Sequence, residues 1–259
     1  MKRTACIWLL LIIFIAACSA NRELQRRQAE DKRNVGEAHL RHGNYTLALR
    51  ELLSAEKLDP ENADIQNDLG FAYMQRDKLD LAIQHFERAL DLKPDFPVAK
   101  NNLGVTYMKK KEWDAAIAIF KDLSQNLLYA TPQNPMVNLG WIYYNKKEFS
   151  VSENYYKEAI QLYREGLAKD LTYIQALRGL SLTYMAMGRY KEAVDPLELA
   201  VKDAPRAPQL FFDLGEAYTL SREMDKALRA YQKVIELAPD SDLAERAQRE
   251  AAKLESLRK

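Results

Sequence analysis

The pattern of apolar, small and polar positions along most of the chain repeats every 34 residues. The series Ala48, Ala82 and Ala116 advances by 34 at each step. Further pairs at the same separation are Pro60 and Pro94, Gly70 and Gly104, Tyr73 and Tyr107, Phe86 and Phe120, Tyr184 and Tyr218, Ala193 and Ala227, and Pro205 and Pro239. So many independent matches at one period indicate a repeat architecture.

Each repeat predicts two helices that pack closely against each other. A Gly in the first helix removes a side chain at the point of closest approach, although Gly lowers helix propensity. These glycines are Gly70, Gly104, Gly140 and Gly215. Large aromatic side chains fill the space between the helices, and Pro60, Pro94, Pro205 and Pro239 end the second helix because proline cannot continue it.

The spacing and residue types resemble those of the tetratricopeptide repeat. The resemblance implies an all-α fold, a right-handed superhelical α-solenoid in which stacked neighbours share a continuous core. Six repeats are predicted, at about residues 30–62, 63–96, 97–132, 133–173, 174–207 and 208–241. Residues 242–259 predict a capping helix with apolar positions at helical spacing. Extra residues interrupt the period at 126–135, and an excess of seven before Tyr184 predicts a second helix extended over Tyr163–Ala168.

The N-terminus predicts a secretory signal. Lys2 and Arg3 precede an apolar run over residues 5–17, which is too short to span a bilayer as a helix. The run ends in Ile15-Ala16-Ala17-Cys18, which resembles the lipobox of bacterial lipoproteins. The resemblance implies cleavage after Ala17, a diacylglyceryl group on Cys18, and a lipidated tether over residues 18–29. The alternative is an ordinary cleaved signal or a short signal anchor.

Ser19 follows the lipobox cysteine. In Gram-negative lipoproteins an Asp at this position usually retains the protein in the inner membrane, so Ser19 implies sorting to the outer membrane. We therefore expect a protein anchored by its N-terminal lipid and facing the periplasm, where several acyl chains give durable attachment.

Composition excludes several functions. The 38 Lys and Arg residues balance 37 Asp and Glu residues, so no basic field for nucleic acid is expected. Both cysteines lie near the N-terminus, and His39 and His42 are interpreted as a packing residue and a solvated turn residue rather than as metal ligands. Six repeats leave no segment for a catalytic domain. We expect no enzymatic activity, no cofactor, no metal and no small-molecule substrate.

Function is therefore expected on the surface formed by the first helices, where a partner's helix or extended segment would bind. We call this surface the predicted groove. Its residues are Asn67, Phe71, Met74, Asn101, Val105, Met108, Trp141, Tyr144 and Asn145. Arg178, Leu182, Met185, Phe212 and Glu216 continue the same face in the last two repeats. The alternative is that some of these aromatic side chains only tighten the superhelix.

A lipidated chain built almost wholly of six such repeats resembles the pilotins of type IV pili, the PilF, PilW and Tgl group. Residues 126–132 and 138–141 are similar to an irregular junction between the third and fourth repeats of that group. The resemblance implies that the protein helps the pilus secretin to reach, insert in or oligomerise at the outer membrane. The alternatives are an envelope adaptor that scaffolds peptidoglycan hydrolases or outer-membrane assembly factors, and a lipid-anchored enzyme.

Overall fold

A computed structural model describes the backbone of residues 2–125, 133–164 and 171–257, and the side chains of residues 21–125, 133–163 and 171–257. In these ranges all regular structure is helical, and no strand occurs. The helices are α1 Lys2–Arg41, α2 Tyr45–Leu58, α3 Ala63–Gln75, α4 Leu79–Leu92, α5 Pro97–Lys110, α6 Trp113–Gln125, α7 Gln133–Asn145, α8 Phe149–Arg164, α9 Leu171–Ala186, α10 Tyr190–Asp203, α11 Pro208–Leu220, α12 Met224–Leu237 and α13 Asp242–Ser256.

These helices follow one another in chain order as six helix–turn–helix segments and a last helix, α13; five of the six pack as pairs, and α5 and α6 contribute to one apolar cluster. Within a pair, α1 packs on α2, α3 on α4, α7 on α8, α9 on α10, and α11 on α12. Successive pairs are joined where α2 packs on α3, α4 on α5, α8 on α9, α10 on α11, and α12 on α13. The predicted all-α fold of stacked helix pairs with a C-terminal capping helix is confirmed.

The chain divides into two compact units, residues 1–119 and residues 120–259. In the first unit, α1, α2 and α3 bury a cluster that includes Leu52 and Ile65, and α3 to α6 contribute to a second cluster around Phe86. In the second unit one cluster runs from Val137 of α7 to Leu254 of α13. Each unit therefore has its own apolar core, built from the facing sides of neighbouring helices.

The glycines lie where first and second helices approach most closely. A Cβ atom added at Gly70 would come within 2.7 Å of the Phe86 ring, and one at Gly215 within 2.6 Å of the Tyr231 ring. Both rings are buried. Because real Cβ contacts are longer than this, any side chain here would push the two helices apart. The structural role predicted for Gly70 and Gly215 is confirmed, and a Cβ atom at Gly140 would likewise come within 2.8 Å of the Tyr156 ring.

Two repeats use serine at the same contact. The Ser152 hydroxyl of α8 donates a hydrogen bond to the carbonyl oxygen of Gly140 at 2.8 Å. The Ser181 hydroxyl of α9 donates to the carbonyl oxygen of Ala193 at 2.6 Å. Both serines are fully buried. The hydroxyl groups are therefore satisfied inside the core, at a place where the other repeats need only a small apolar residue.

Every turn between the two helices of a pair contains one residue in the left-handed backbone region. Its φ is 71° at Gly43 and 74° at Gly188. The non-glycine residues at the equivalent positions are Asp77, Lys111, Lys147 and Arg222, with φ between 57° and 68°. The residue after each one donates its backbone N–H to a carbonyl of the first helix, as Lys78 does to Tyr73 at 2.9 Å. This is a Schellman-type helix end, which the sequence pattern did not predict.

The irregular junctions are only partly described. Residues 126–132, which carry part of the predicted interruption, lie outside the described residues, and so do residues 165–170. The predicted extension of α8 is helical to Arg164, and the remainder of that segment is not described. Helix α9 begins at Leu171, three residues before the predicted start of the fifth repeat.

The backbone of α1 runs through the predicted signal and tether. Side chains of residues 1–20 lie outside the described residues, so the lipid attachment at Cys18 stays a prediction. The predicted tether, residues 18–29, is helical, and Ala29 is fully buried in the first core. The apolar core of the first unit therefore includes at least one residue of the predicted tether, Ala29. Among the described residues, none of the helices combines the length and the apolar character needed to cross a bilayer.

Candidate protein-binding surface

In the first unit, the first helices of neighbouring repeats are joined by a polar network made of Arg33, Asn67, Asp68 and Asn102. The Arg33 Nε donates to Asp68 Oδ2 at 3.0 Å, from α1 to α3. The Asn67 amide donates to Asp68 Oδ1 at 3.2 Å, and the Asn102 amide donates to Asn67 Oδ1 at 3.1 Å, from α5 to α3. The network therefore links three successive first helices through side chains.

Around this network, negative charges outnumber positive charges. One guanidinium, that of Arg33, contacts three carboxylates, with Glu30 at 2.7 Å and Glu37 at 2.8 Å in addition to Asp68. Burial of the Asp68 carboxylate raises its pKa to about 6; Arg33 opposes this rise and the nearby Glu37 adds to it. Burial lowers the pKa of the Arg33 guanidinium, but the hydrogen bond to Asp68 and the charges of Asp68, Glu30 and Glu37 raise it by more. Arg33 therefore remains charged. The ionised form of Asp68 is thus costly in the folded protein.

The network changes how two predicted groove residues are interpreted. Asn67 is only 8% exposed, and its amide and its Oδ1 are both bonded within the protein, so it serves the stacking of repeats. Asn101 differs, because its Oδ1 is buried and has no hydrogen-bond partner among the described residues. Sequence reasoning placed Asn67 and Asn101 in the predicted groove but assigned no role to Asp68 and Asn102. The sequence feature that could have identified this network is the second polar residue that directly follows each of these asparagines, Asp68 after Asn67 and Asn102 after Asn101.

Three apolar members of the predicted groove lie in one core cluster. Met74 is 4% exposed and packs with Phe86 and Leu103, and Phe71 and Val105 are partly buried against the same cluster. The prediction that Met74 lies on the groove surface is wrong. The Met74 side chain points into the contact between the second and third repeats, because α4 and α5 cover this side of α3. Met108, one turn after Val105, is partly exposed.

In the second unit, Trp141 of α7 is the most exposed aromatic member of the predicted groove, at 41%. The Asn145 amide donates to the Trp141 carbonyl oxygen at 2.8 Å, so Asn145 holds the last turn of α7. The Tyr144 ring packs at a tilt on Phe149 of α8, with 5.7 Å between ring centroids. Trp141 therefore offers a broad apolar surface on a helix end that is fixed by local contacts.

The last two repeats repeat the polar pairing of the first unit. Arg178 of α9 donates to Asp213 of α11, at the same 35-residue separation as Arg33 and Asp68. Burial and the neighbouring Asp213 raise the pKa of Glu216. Phe212, expected on the groove, is 2% exposed and packs edge-on against Tyr231 at 5.6 Å. The prediction for Phe212 is therefore wrong, because α12 covers this face of α11.

The described residues contain no group of three or more His, Cys, Asp or Glu side chains that could hold a metal ion. The side chains that this surface offers are amides, ion pairs and apolar groups. Such an arrangement can bind another polypeptide through hydrogen bonds and apolar contact.

Comparison with known proteins agrees with this architecture. Family profiles described as "Tetratricopeptide repeat" match residues 36–97 and 178–242, 76–127, and 136–170. The tetratricopeptide repeat domain-containing protein PYG7 of Arabidopsis thaliana, a chloroplast protein, is 39% identical over 118 residues. That match covers 46% of this chain and 38% of PYG7, so the chain spans well under half of this curated relative.

Three solved structures share the fold. PilW, a type IV pilus biogenesis factor, has a TM-score of 0.75 at 18% identity, covering 85% of this chain and 98% of PilW. PilF of Pseudomonas aeruginosa has a TM-score of 0.70 at 18% identity, covering 87% of this chain and 99% of PilF. The Cut9–Hcn1 complex of the APC/C has a TM-score of 0.71 at 16% identity, with 92% of this chain and 45% of the matched chain covered. At these identities the likeness shows the fold alone.

The raised pKa of Asp68 predicts a pH-dependent effect of the substitution Asp68→Asn. The folded protein holds the Asp68 proton up to about pH 6, against an ordinary value of 3.8, so the cost of the ionised carboxylate is present above pH 6 and vanishes below about pH 4. We expect the unfolding free energy of Asp68→Asn minus that of wild type to be larger at pH 7.5 than at pH 4.5, by about 1–2 kcal/mol.

Urea denaturation followed by circular dichroism at the two pH values measures this difference. A Glu61→Gln variant serves as the control, because Glu61 is exposed on a turn and makes no ion pair in the described structure. A difference that stays constant with pH, or that falls as pH rises, would show that the salt bridge to Arg33 outweighs burial.

Proposed function

Since the chain is a tetratricopeptide repeat protein, we propose that it is a lipid-anchored pilotin of the outer membrane, which binds the type IV pilus secretin and assists its localisation or oligomerisation. The observation that carries the proposal is the mutual coverage with PilW and PilF. This chain spans 98% and 99% of those proteins, and they cover 85% and 87% of this chain. The likeness therefore extends over nearly the whole of both solved chains.

The exposed part of the predicted groove supports binding of a protein partner. Trp141 and Met108 present apolar surface, and aromatic and methionine side chains contribute strongly to protein interfaces. In this proposal the secretin makes apolar contact with Met108 of the first unit and with Trp141 of the second, and the polar network of α1, α3 and α5 keeps the first helices of the first unit in register.

The lipobox-like sequence supports the site of action. In this proposal Cys18 carries the acyl chains, and the helical segment after it connects the membrane to the first repeat. The protein then makes and breaks no bonds after its lipid is attached. Its contribution is to hold secretin protomers next to the membrane at a high effective concentration.

The first experiment measures secretin assembly. Deletion of the gene should abolish or mislocalise the sodium dodecyl sulfate-resistant secretin multimer, and the wild-type gene should restore it. The double variant Trp141→Ala with Met108→Ala should restore it poorly, with secretin co-purification reduced about tenfold because two apolar contacts are lost. Leu81→Ala is the matched control, since Leu81 is 40% exposed on the second helix α4.

Normal multimers in the deletion strain would rule out the pilotin function. Co-purification of peptidoglycan hydrolases or outer-membrane assembly factors instead of secretin, with equal loss in the double variant, would establish the adaptor alternative.

The second experiment tests the anchor. Cys18→Ser should move the full-length protein from the membrane fraction to the soluble periplasmic fraction or leave an unprocessed precursor, because serine cannot form the thioether. Metabolic labelling with palmitate and fractionation measure this, and Cys6→Ser should change neither result. A Cys18→Ser protein that still incorporates palmitate would contradict the lipid attachment.

A further inference from the structure

Two cavities in the second unit lie at the same position of consecutive repeats. The first pocket, of about 480 Å³, lies against α8, α9 and α10, and its lining includes Leu180, Tyr184 and Pro196. The second pocket, of about 350 Å³, lies against α11 and α12, and its lining includes Leu214, Tyr218 and Ala230. Each of these residues in the second pocket is 34 positions after its counterpart in the first. The two cavities are therefore one feature of the repeat, present twice.

A missing side chain opens both pockets. In the second repeat, His85 lies twelve positions after Tyr73 and stacks on its ring at 5.2 Å. In the fourth repeat, Tyr155 lies twelve positions after Tyr143 and stacks on it at 5.5 Å. In the last two repeats this position holds Pro196 and Ala230, which carry no aromatic ring. The space that an aromatic side chain fills in the second and fourth repeats thus holds no aromatic ring beside Tyr184 and Tyr218.

The floors of both pockets are apolar. Leu180 and Tyr184 are each 6% exposed, and Leu214 and Tyr218 are 5% and 7% exposed. These side chains are held by the core of the second unit, to which all four belong. Each pocket is therefore preformed, and it suits one aliphatic or aromatic side chain of a partner.

The rims of the two pockets carry opposite charge at equivalent positions. Asp195 lines the first pocket, and Arg229, 34 positions later, lines the second. Both side chains are exposed, and within the described ranges neither makes a hydrogen bond or an ion pair. Their charges are therefore available to a partner, one beside each apolar floor.

The other charged residues of the rims are already paired. Glu192 accepts two hydrogen bonds from Arg189, Lys157 contacts Glu153 at 2.6 Å, and Lys226 contacts Glu223 at 2.7 Å. Lys233 of the second pocket contacts Glu236 at 3.0 Å. The charge that each pocket offers is thus negative at the first and positive at the second.

We propose that the two pockets together dock a segment of a partner protein that carries two apolar anchor residues, with a basic residue beside one anchor and an acidic residue beside the other. The pockets would take the anchors, while Asp195 and Arg229 select the neighbouring charges. This surface shares no residue with the predicted groove. It does not depend on the pilotin function, so either proposal stands if the other fails.

Three sets of fluorescent peptides test the proposal with the full-length protein in mild detergent. Every peptide has two leucines, and their separation varies within each set. The mixed set has Arg beside one leucine and Glu beside the other, the basic set has Arg beside both, and the acidic set has Glu beside both. By fluorescence anisotropy, the best mixed peptide should bind wild type at least about fivefold more tightly than any peptide of one sign.

Single charge reversals should move this preference in opposite directions. Asp195→Arg makes both rims basic, so the acidic set should become the best, and Arg229→Glu makes both rims acidic, so the basic set should become the best. Asp240→Arg makes the same charge change on an exposed turn away from the pockets and should leave the preference for mixed peptides unchanged.

Filling either pocket should weaken binding. Pro196→Tyr and Ala230→Tyr place a ring where Tyr155 already packs in the fourth repeat, so each should fold with wild-type helicity and weaken the best peptide about tenfold. Failure of every peptide to bind wild type would overturn the proposal, and so would a preference that neither charge reversal changes.

Discussion

The structure depends on the close approach of two helices within each pair. A Gly or Ser in the first helix, or a Ser in the second, brings the two backbones together, and a buried ring such as Phe86 or Tyr231 lies directly against the glycine. That contact sets the distance at which the paired helices pack. The distance in turn fixes where the next pair can stack, so the surface of the protein follows from a contact that is repeated inside it.

This dependence explains why the fold could be predicted from the sequence. Gly, Ala and Pro at 34-residue intervals each have one steric reason, and the helix pairs appear where those residues lie. The left-handed turns could not be predicted in the same way, because Lys111, Lys147 and Arg222 are not residues that favour positive φ. There the closure of the helix pair imposes the backbone conformation on whichever residue occupies the turn.

The binding surface was harder to predict. The repeat pattern assigns each residue to one face of its helix, but it does not say whether a neighbouring helix covers that residue. The groove positions were taken from one face of each first helix, and Trp141 is exposed there. Met74 and Phe212 share that face but are covered by the neighbouring helices. The pockets of the last two repeats had a different signal, a small residue twelve positions after Tyr184 and Tyr218, but its meaning appears only when the stacked rings of the other repeats are seen.

Site-specific photo-crosslinking in living cells would show whether the first-helix face at Trp141 contacts the pilus secretin, as we propose. A benzophenone amino acid would replace Trp141 in one strain and Leu81, which is exposed on a second helix, in another. We expect an ultraviolet-dependent adduct with the secretin in the strain with the benzophenone at position 141 and none in the strain with it at position 81. An adduct with the secretin at position 81 but not at position 141, or an adduct at 141 only with other proteins, would contradict this proposal.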